Sequence, residues 1–232
     1  MTAITTSGLT KRYDDIVAVD TLDLVVERGE VFGFVGPNGA GKSSTIAILI
    51  GHRTPSVGTA RVLDRSIDGD LRKLRSSVGV LPERCGLFDR LTGREHLDTA
   101  ISLHESSDDA TELLDRVNLS DAGDRRTRTY STGMAQRLRL ALALVGDPDL
   151  LVLDEPATGL DPAGIGLLRE LVVDERDRGT TVFFSSHRLA DVAAVSDRVG
   201  FLINGRLETV ITADGNEESL GKVFDRLVRR KR

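Results

Sequence analysis

The chain has 232 residues, 40% of them hydrophobic and 29% charged, with a net charge of -5 and no tryptophan. That length buries a proper core as one domain or a compact two-lobed one, and the negative balance argues against broad nucleic-acid binding. A single cysteine, Cys85, excludes an intrachain disulfide and fits a reducing compartment.

From the amino end, MTAITTSGLTKRY lacks the apolar segment of a signal peptide, and no later run approaches the ~18 apolar residues of a membrane span. The expectation is a cytosolic chain that meets a membrane only through a partner or through its C-terminal end. The first thirty residues read as short strands and turns forming a small separate sheet. Residues 31–35 are the first apolar core strand, and residues 42–50 the first helix.

Between these two lies Gly36-Pro37-Asn38-Gly39-Ala40-Gly41-Lys42-Ser43, the P-loop pattern in its required strand-to-helix context. Its glycines let successive backbone N–H groups turn inward around phosphate oxygens, and the helix N-terminus adds positive potential. Lys42 can reach the β- and γ-phosphates, and Ser43 can offer its hydroxyl to Mg²⁺. Only five of the 31 basic residues are lysines, so a lysine at this position is unlike a chance placement. The chain is expected to bind a nucleoside triphosphate.

A second core strand spans 78–81 and runs into Pro82-Glu83-Arg84. The alternation of strand and helix then breaks. Residues 93–143 are helical in pattern, polar and rich in Asp and Arg, and predict a helical lobe over about 84–143 inserted into an α/β core. Residues 150–153 form a buried strand that delivers Asp154 and Glu155 to its carboxyl end, where α/β sheets place their ligands. Asp154 would hold Mg²⁺ through water, and Glu155 would polarise an attacking water. A helix over 162–178 follows, then a strand over 181–184 that leads through two serines to His187. At the same sheet edge, His187 could hydrogen-bond a γ-phosphate and the water held by Glu155. After a helical pattern at 188–195 comes a strand at 199–203, and Asn204-Gly205 marks a hairpin. With a helix over 217–232, this makes a C-terminal hairpin and helix over about 198–232. The final Arg229-Arg230-Lys231-Arg232 reads as a solvated basic end, with attraction to anionic lipid as the sharper alternative. Strands alternating with helices imply an α/β fold: a P-loop core with a mostly parallel sheet, a small N-terminal antiparallel β subdomain and the helical lobe.

Taken together, the motifs resemble those of the ATP-binding subunit of an ABC transporter. Four of them stand in that family's order: the P-loop, a signature at Ser131-Thr132-Gly133-Met134, the Asp154-Glu155 strand, and His187. Gly159-Leu160-Asp161 resembles the family's D-loop, and Tyr13 sits where the family places an aromatic that stacks on adenine. The resemblance implies that two such domains pair head to tail around two ATP molecules. Each ATP then lies between the P-loop of one chain (residues 36–43, with Ser44 behind it) and Ser131 and Gly133 of the other. ATP and Mg²⁺ are the implied ligands, with Ser43, Asp154 and Glu83 around the metal and Glu155, His187 and Lys42 as catalytic groups. The implied partners are a second ATP-binding subunit, identical or homologous, and separately encoded permease subunits, with no specific nucleic acid.

Two departures from the family pattern stand out. Thr132 and Met134 replace a glycine and a glutamine of the usual signature, a mark of drug- and polysaccharide-exporter-like members. Glu83 replaces the usual glutamine of the Q-loop and adds a negative charge near the γ-phosphate. The reading is therefore an ATPase that powers a membrane export system; a soluble ABC ATPase of cofactor assembly or another non-transport role is the alternative.

Overall fold

The computed structural model describes residues 1–83 and 85–229. Two sheets build the fold. The first is antiparallel, in the order β2 (Ile16–Glu27), β1 (Thr2–Tyr13), β4 (Val57–Val62) and β5 (Arg65–Ser66). The expectation of short N-terminal strands is corrected here, because β1 and β2 are twelve residues each and pair along their whole length. Their register slips at several points, and Gly8 and Thr21 near these slips have φ of 54° and 51°. Bulges of this kind break the alternation of inward and outward side chains, so a long strand reads as fragments.

The second sheet runs β10 (Arg206–Thr212), β9 (Arg198–Ile203), β3 (Val31–Val35), β8 (Thr181–Ser186), β7 (Leu150–Asp154) and β6 (Val78–Leu81). Every pairing from β9 to β6 is parallel, and only β10 runs against its neighbour. Alternate residues feed opposite cores. Leu151, Leu153, Val182 and Val31 point to one, while Leu150, Val152, Phe183 and Phe32 point to the other. A parallel sheet buried on both faces explains why these strands are continuous apolar runs.

The second of these cores lies between the two sheets and includes α1 (Lys42–Leu49) and α2 (Leu71–Arg75). The first is covered by α3 (Gly93–His104), α4 (Ala110–Arg116), α5 (Thr132–Ala143), α6 (Pro162–Asp177), α7 (Leu189–Ala193) and α8 (Glu217–Arg229). Leu97, Leu114 and Leu138 of the helical stretch thus share one apolar cluster with strand residues of the parallel sheet. A polar tie reinforces this. The Arg116 guanidinium on α4 pairs with the fully buried Glu175 on α6, which also accepts a hydrogen bond from Thr180 Oγ1 at 3.1 Å.

Local signals start and stop these elements as their residue types dictate. Thr92 and Glu95 form a reciprocal capping box on α3, and the Ser131 hydroxyl caps α5. Asn204 and Gly205, at φ 49° and 80°, make the two-residue turn between β9 and β10, the left-handed pair that a type I′ hairpin requires. That turn braces the P-loop, since the Gly205 N–H donates to Ala40 O at 2.9 Å. Phe224 of α8 lies 6.3 Å from Phe201 of β9, so the terminal helix closes over the sheet. Residues 230–232, the end of the basic tail, lie outside the described residues, as does Arg84.

Candidate functional site

Four adjacent parallel strands, β3, β8, β7 and β6, point their carboxyl ends at one cleft of about 460 Å³. The P-loop leaves β3, Glu155 follows β7, His187 follows β8, and Glu83 lies two residues beyond β6. Lys42, Ser43, Ser44, Glu83, Glu155 and His187 all line this cleft, along with backbone from Asn38 to Gly41. Glu83 and His187, 104 residues apart in sequence, meet because the strands that carry them are near neighbours.

The P-loop needs its glycines for space. A Cβ on Gly36 would strike the backbone carbonyl of Leu202, and one on Gly41 would strike that of Ala18. Gly41, at φ 106°, also adopts a backbone that side-chain-bearing residues rarely reach, and it directly precedes α1. No side chain caps α1, and no acidic residue occupies its first turn. Its amide N–H groups and its dipole therefore face the cleft unopposed by any carboxylate of its own first turn. Lys42 is 6% exposed and donates from Nζ to Gly36 O at 2.7 Å and Pro37 O at 3.4 Å.

Two carboxylates sit side by side in different surroundings. Asp154 is buried and accepts from Ser185 Oγ at 2.6 Å. Glu155 has φ 51° and its N–H donates to both Ser185 O and Ser185 Oγ. Its carboxylate lies 3.2 Å from Lys42 Nζ and 2.8 Å from His187 Nδ1. Ser185 belongs to no sequence motif, although two consecutive serines ending an apolar strand signal that something polar there must be satisfied.

Burial pushes the Asp154 carboxyl up from the usual carboxylate range; hydrogen bonds from Ser185 and Ser43 oppose this, and the charges of Glu83 and Glu155 add to it. A raised acid holds its proton more readily in the folded chain than in the unfolded one. Ionising it therefore costs stability once the pH exceeds the ordinary carboxylate range, and costs nothing well below that range. Asp154→Asn should raise the melting temperature at neutral pH by roughly 2–4 °C, the response of a domain this size to about 1 kcal/mol. The gain should vanish near pH 4, about the ordinary carboxylate value. Melting curves at the two pH values check this; an equal gain at both would rule out the charge as its source.

Other predicted residues lie apart from this cleft. Ser131 and Thr132 are exposed at the start of α5, and neither they nor Gly133 line it. The signature instead packs on the D-loop of its own chain. A Cβ on Gly133 would lie 3.5 Å from Gly159 O, and the Thr132 methyl fills the space a Cβ on Gly159 would need. The β-branched Thr132 is thus accommodated by a glycine at φ 82°. Gln136 Nε2, two residues after Met134, reaches Pro156 O at 3.0 Å, giving the signature helix an amide contact to the carboxylate loop. The Tyr130 hydroxyl donates to Ala122 O at 2.7 Å and anchors the approach to α5. Tyr13 stands at the tip of the β1–β2 hairpin with Lys11 Nζ 5.2 Å from its ring centre, outside the cleft lining; Ala18 of that hairpin does line it. Ala18 and Thr158, both in the lining, carried no motif signal.

Comparison with known proteins agrees with this arrangement. Residues 19–158 match the ABC transporter family. The chain is 40% identical over 230 residues to the daunorubicin/doxorubicin resistance ATP-binding protein DrrA of Streptomyces peucetius, covering 97% of this chain and 70% of that one. It is 36% identical to the bacitracin transport ATP-binding protein BcrA of Bacillus licheniformis, over 92% of this chain and 71% of that one. It spans about two thirds of the length of the curated relatives it matches. A solved ATP-binding subunit of an ABC transporter superposes with a TM-score of 0.83 at 28% identity, over 94% of this chain and 93% of that one. A fold, a strand-end cleft and a sequence match of this extent have one common explanation: the chain belongs to the ABC transporter family and carries its ATP-binding domain.

Proposed function

We propose that this chain is the ATP-binding and ATP-hydrolysing subunit of a membrane export system, acting from the cytoplasmic face through separately encoded permease subunits. Two ATP-binding subunits, identical or homologous, pair head to tail. The single observation that carries this reading is the separation of the signature from the cleft. Lys42, Glu155 and His187 share one cleft, while Ser131 and Gly133 are presented elsewhere at an open helix start. A phosphate in the cleft can meet a signature only if a second chain supplies it. Export is supported by the printed names of the relatives, a drug-resistance protein and a bacitracin transport protein. Among the described residues no helix is long and apolar enough to cross a membrane.

The site residues divide by chemistry. The loop 36–43 and Ser44 cradle the phosphates, with Lys42 as their counter-charge. The donors present fit Mg²⁺: the Ser43 hydroxyl already shares a hydrogen bond with Asp154, and Glu83 adds a third hard oxygen ligand. When bound, the metal neutralises charge that develops on the phosphates. Glu155 accepts a proton from the attacking water, and His187 orients it. Tyr13 stacks on adenine from the hairpin tip, and Ser131 and the Gly133 N–H of the partner chain meet the γ-phosphate.

Gly133→Asp tests the shared site. The glycine has ordinary φ, and an added Cβ meets only a van der Waals neighbour, so the variant should fold. Steady-state hydrolysis should fall about 100-fold, the scale of putting one donor out of line at a transition state, because the added carboxylate repels the γ-phosphate from the retained N–H. Nucleotide affinity of the isolated monomer should stay unchanged. Unchanged hydrolysis, or weaker monomer binding, would place the signature in the wrong site.

A further inference from the structure

Both oxygens of the Glu155 carboxylate are engaged. Oε1 lies 3.2 Å from Lys42 Nζ; Oε2 lies 2.8 Å from His187 Nδ1 and accepts from the His187 N–H at 3.3 Å. The side chain is 11% exposed, and that of Lys42 is 6% exposed. An ammonium carries three protons, and Lys42 has three acceptors: Gly36 O, Pro37 O and Glu155. Two of these are carbonyls of the P-loop itself. The third is the sole anion, and it comes from the far side of the cleft.

We propose that Glu155 has a second role, as a built-in competitor for phosphate that sets how tightly nucleotide binds. The proposal rests on the nucleotide-binding reading above. A phosphate oxygen and the Glu155 carboxylate have the same charge and the same geometry of demand on Lys42, so one displaces the other. Binding then requires the carboxylate to leave Lys42, and the free energy holding that clasp is subtracted from nucleotide affinity. The clasp is well supported. The root of the side chain is fixed by the two hydrogen bonds of Glu155 N to Ser185, in a left-handed backbone conformation that costs free energy unless its surroundings hold it. Release therefore comes from rotation of the side chain alone, which also frees His187 Nδ1. Phosphate arrival would thereby uncouple Glu155 from both partners at once, delivering an unpaired carboxylate only when substrate is present.

The same charge without the contact is available for comparison. Glu83 lines the same cleft but stands outside these contacts. The experiment is equilibrium binding of ADP with Mg²⁺, by calorimetry, to the unaltered chain and to Glu155→Gln, Glu155→Asp, Glu83→Gln and Lys42→Ala. Aspartate keeps the charge but is one methylene too short to span Lys42 and His187. Glu155→Asp should bind ADP about fivefold tighter than the unaltered chain, and Glu155→Gln about tenfold tighter. Glu83→Gln should gain less than either. Glu155→Asp binding no tighter than the unaltered chain, or Glu83→Gln gaining as much as Glu155→Gln, overturns the clasp in favour of a general charge effect. An unaltered chain that binds ADP no better than Lys42→Ala overturns the nucleotide reading, and the clasp with it.

Discussion

Lys42→Ala should weaken ATP binding by about 100- to 1,000-fold, the loss of a desolvated charge-assisted contact to phosphate worth roughly 3–4 kcal/mol. The lysine is buried where the P-loop turns into α1, and its ammonium is held at the centre of the loop by Gly36 O and Pro37 O. Alanine removes the counter-charge without disturbing the glycines that shape the loop, and it is the better helix former. Circular dichroism and the melting temperature should therefore change little, while calorimetric titration with ATP loses its signal at micromolar protein. Removing Lys42 also leaves Glu155 with His187 alone, which makes the cleft more negative and weakens phosphate binding further. Affinity equal to that of the unaltered chain would end the assignment of residues 36–43 as the phosphate loop.

Glu155→Gln separates binding from chemistry. The amide has the shape of the acid but no basicity toward water, so hydrolysis should fall by about 100- to 10,000-fold, the range expected for a lost general base. Binding persists, because Lys42 and the P-loop amides are intact. A pair closed by ATP and unable to cleave it stays closed. Size-exclusion chromatography should show a dimer with ATP and Mg²⁺ and a monomer with ADP. A variant that stays monomeric with ATP would refute the head-to-tail pair. One that hydrolyses at the normal rate would remove Glu155 from the chemistry.

Much of the core was legible in the sequence because its physics is local. Residues 31–35 and 78–81 are observed strands with the expected bounds, since buried parallel strands are unbroken apolar runs ended by glycine, proline or charge. Asn204-Gly205 makes the expected hairpin because few other pairs tolerate two left-handed residues in succession. The N-terminal sheet was legible only in part, since bulges at Gly8 and Thr21 hide two long strands behind irregular spacing. The stretch 51–77 carried no clear signal. Its β4 alternates only weakly and gains its place by pairing with β1, some fifty residues away. In the site, motif residues could be listed from the sequence, but their contacts could not. Neither the bridging of Lys42 and His187 by Glu155 nor the support from Ser185 follows from spacing, because each joins the ends of different strands.

The bond from Gln136 to Pro156 has a consequence for the pair as a whole. Pro156 follows Glu155, which on the proposed reading serves the chain's own nucleotide, whereas Gln136 belongs to the helix whose start would serve the partner's nucleotide. Gly159 against Gly133 repeats the link one turn away. In the head-to-tail pair, each chain therefore joins one reaction centre to the other by a short rigid path through its own backbone. The two ATP molecules would sense each other's cleavage, and turnover would rise with ATP concentration more steeply than for independent sites.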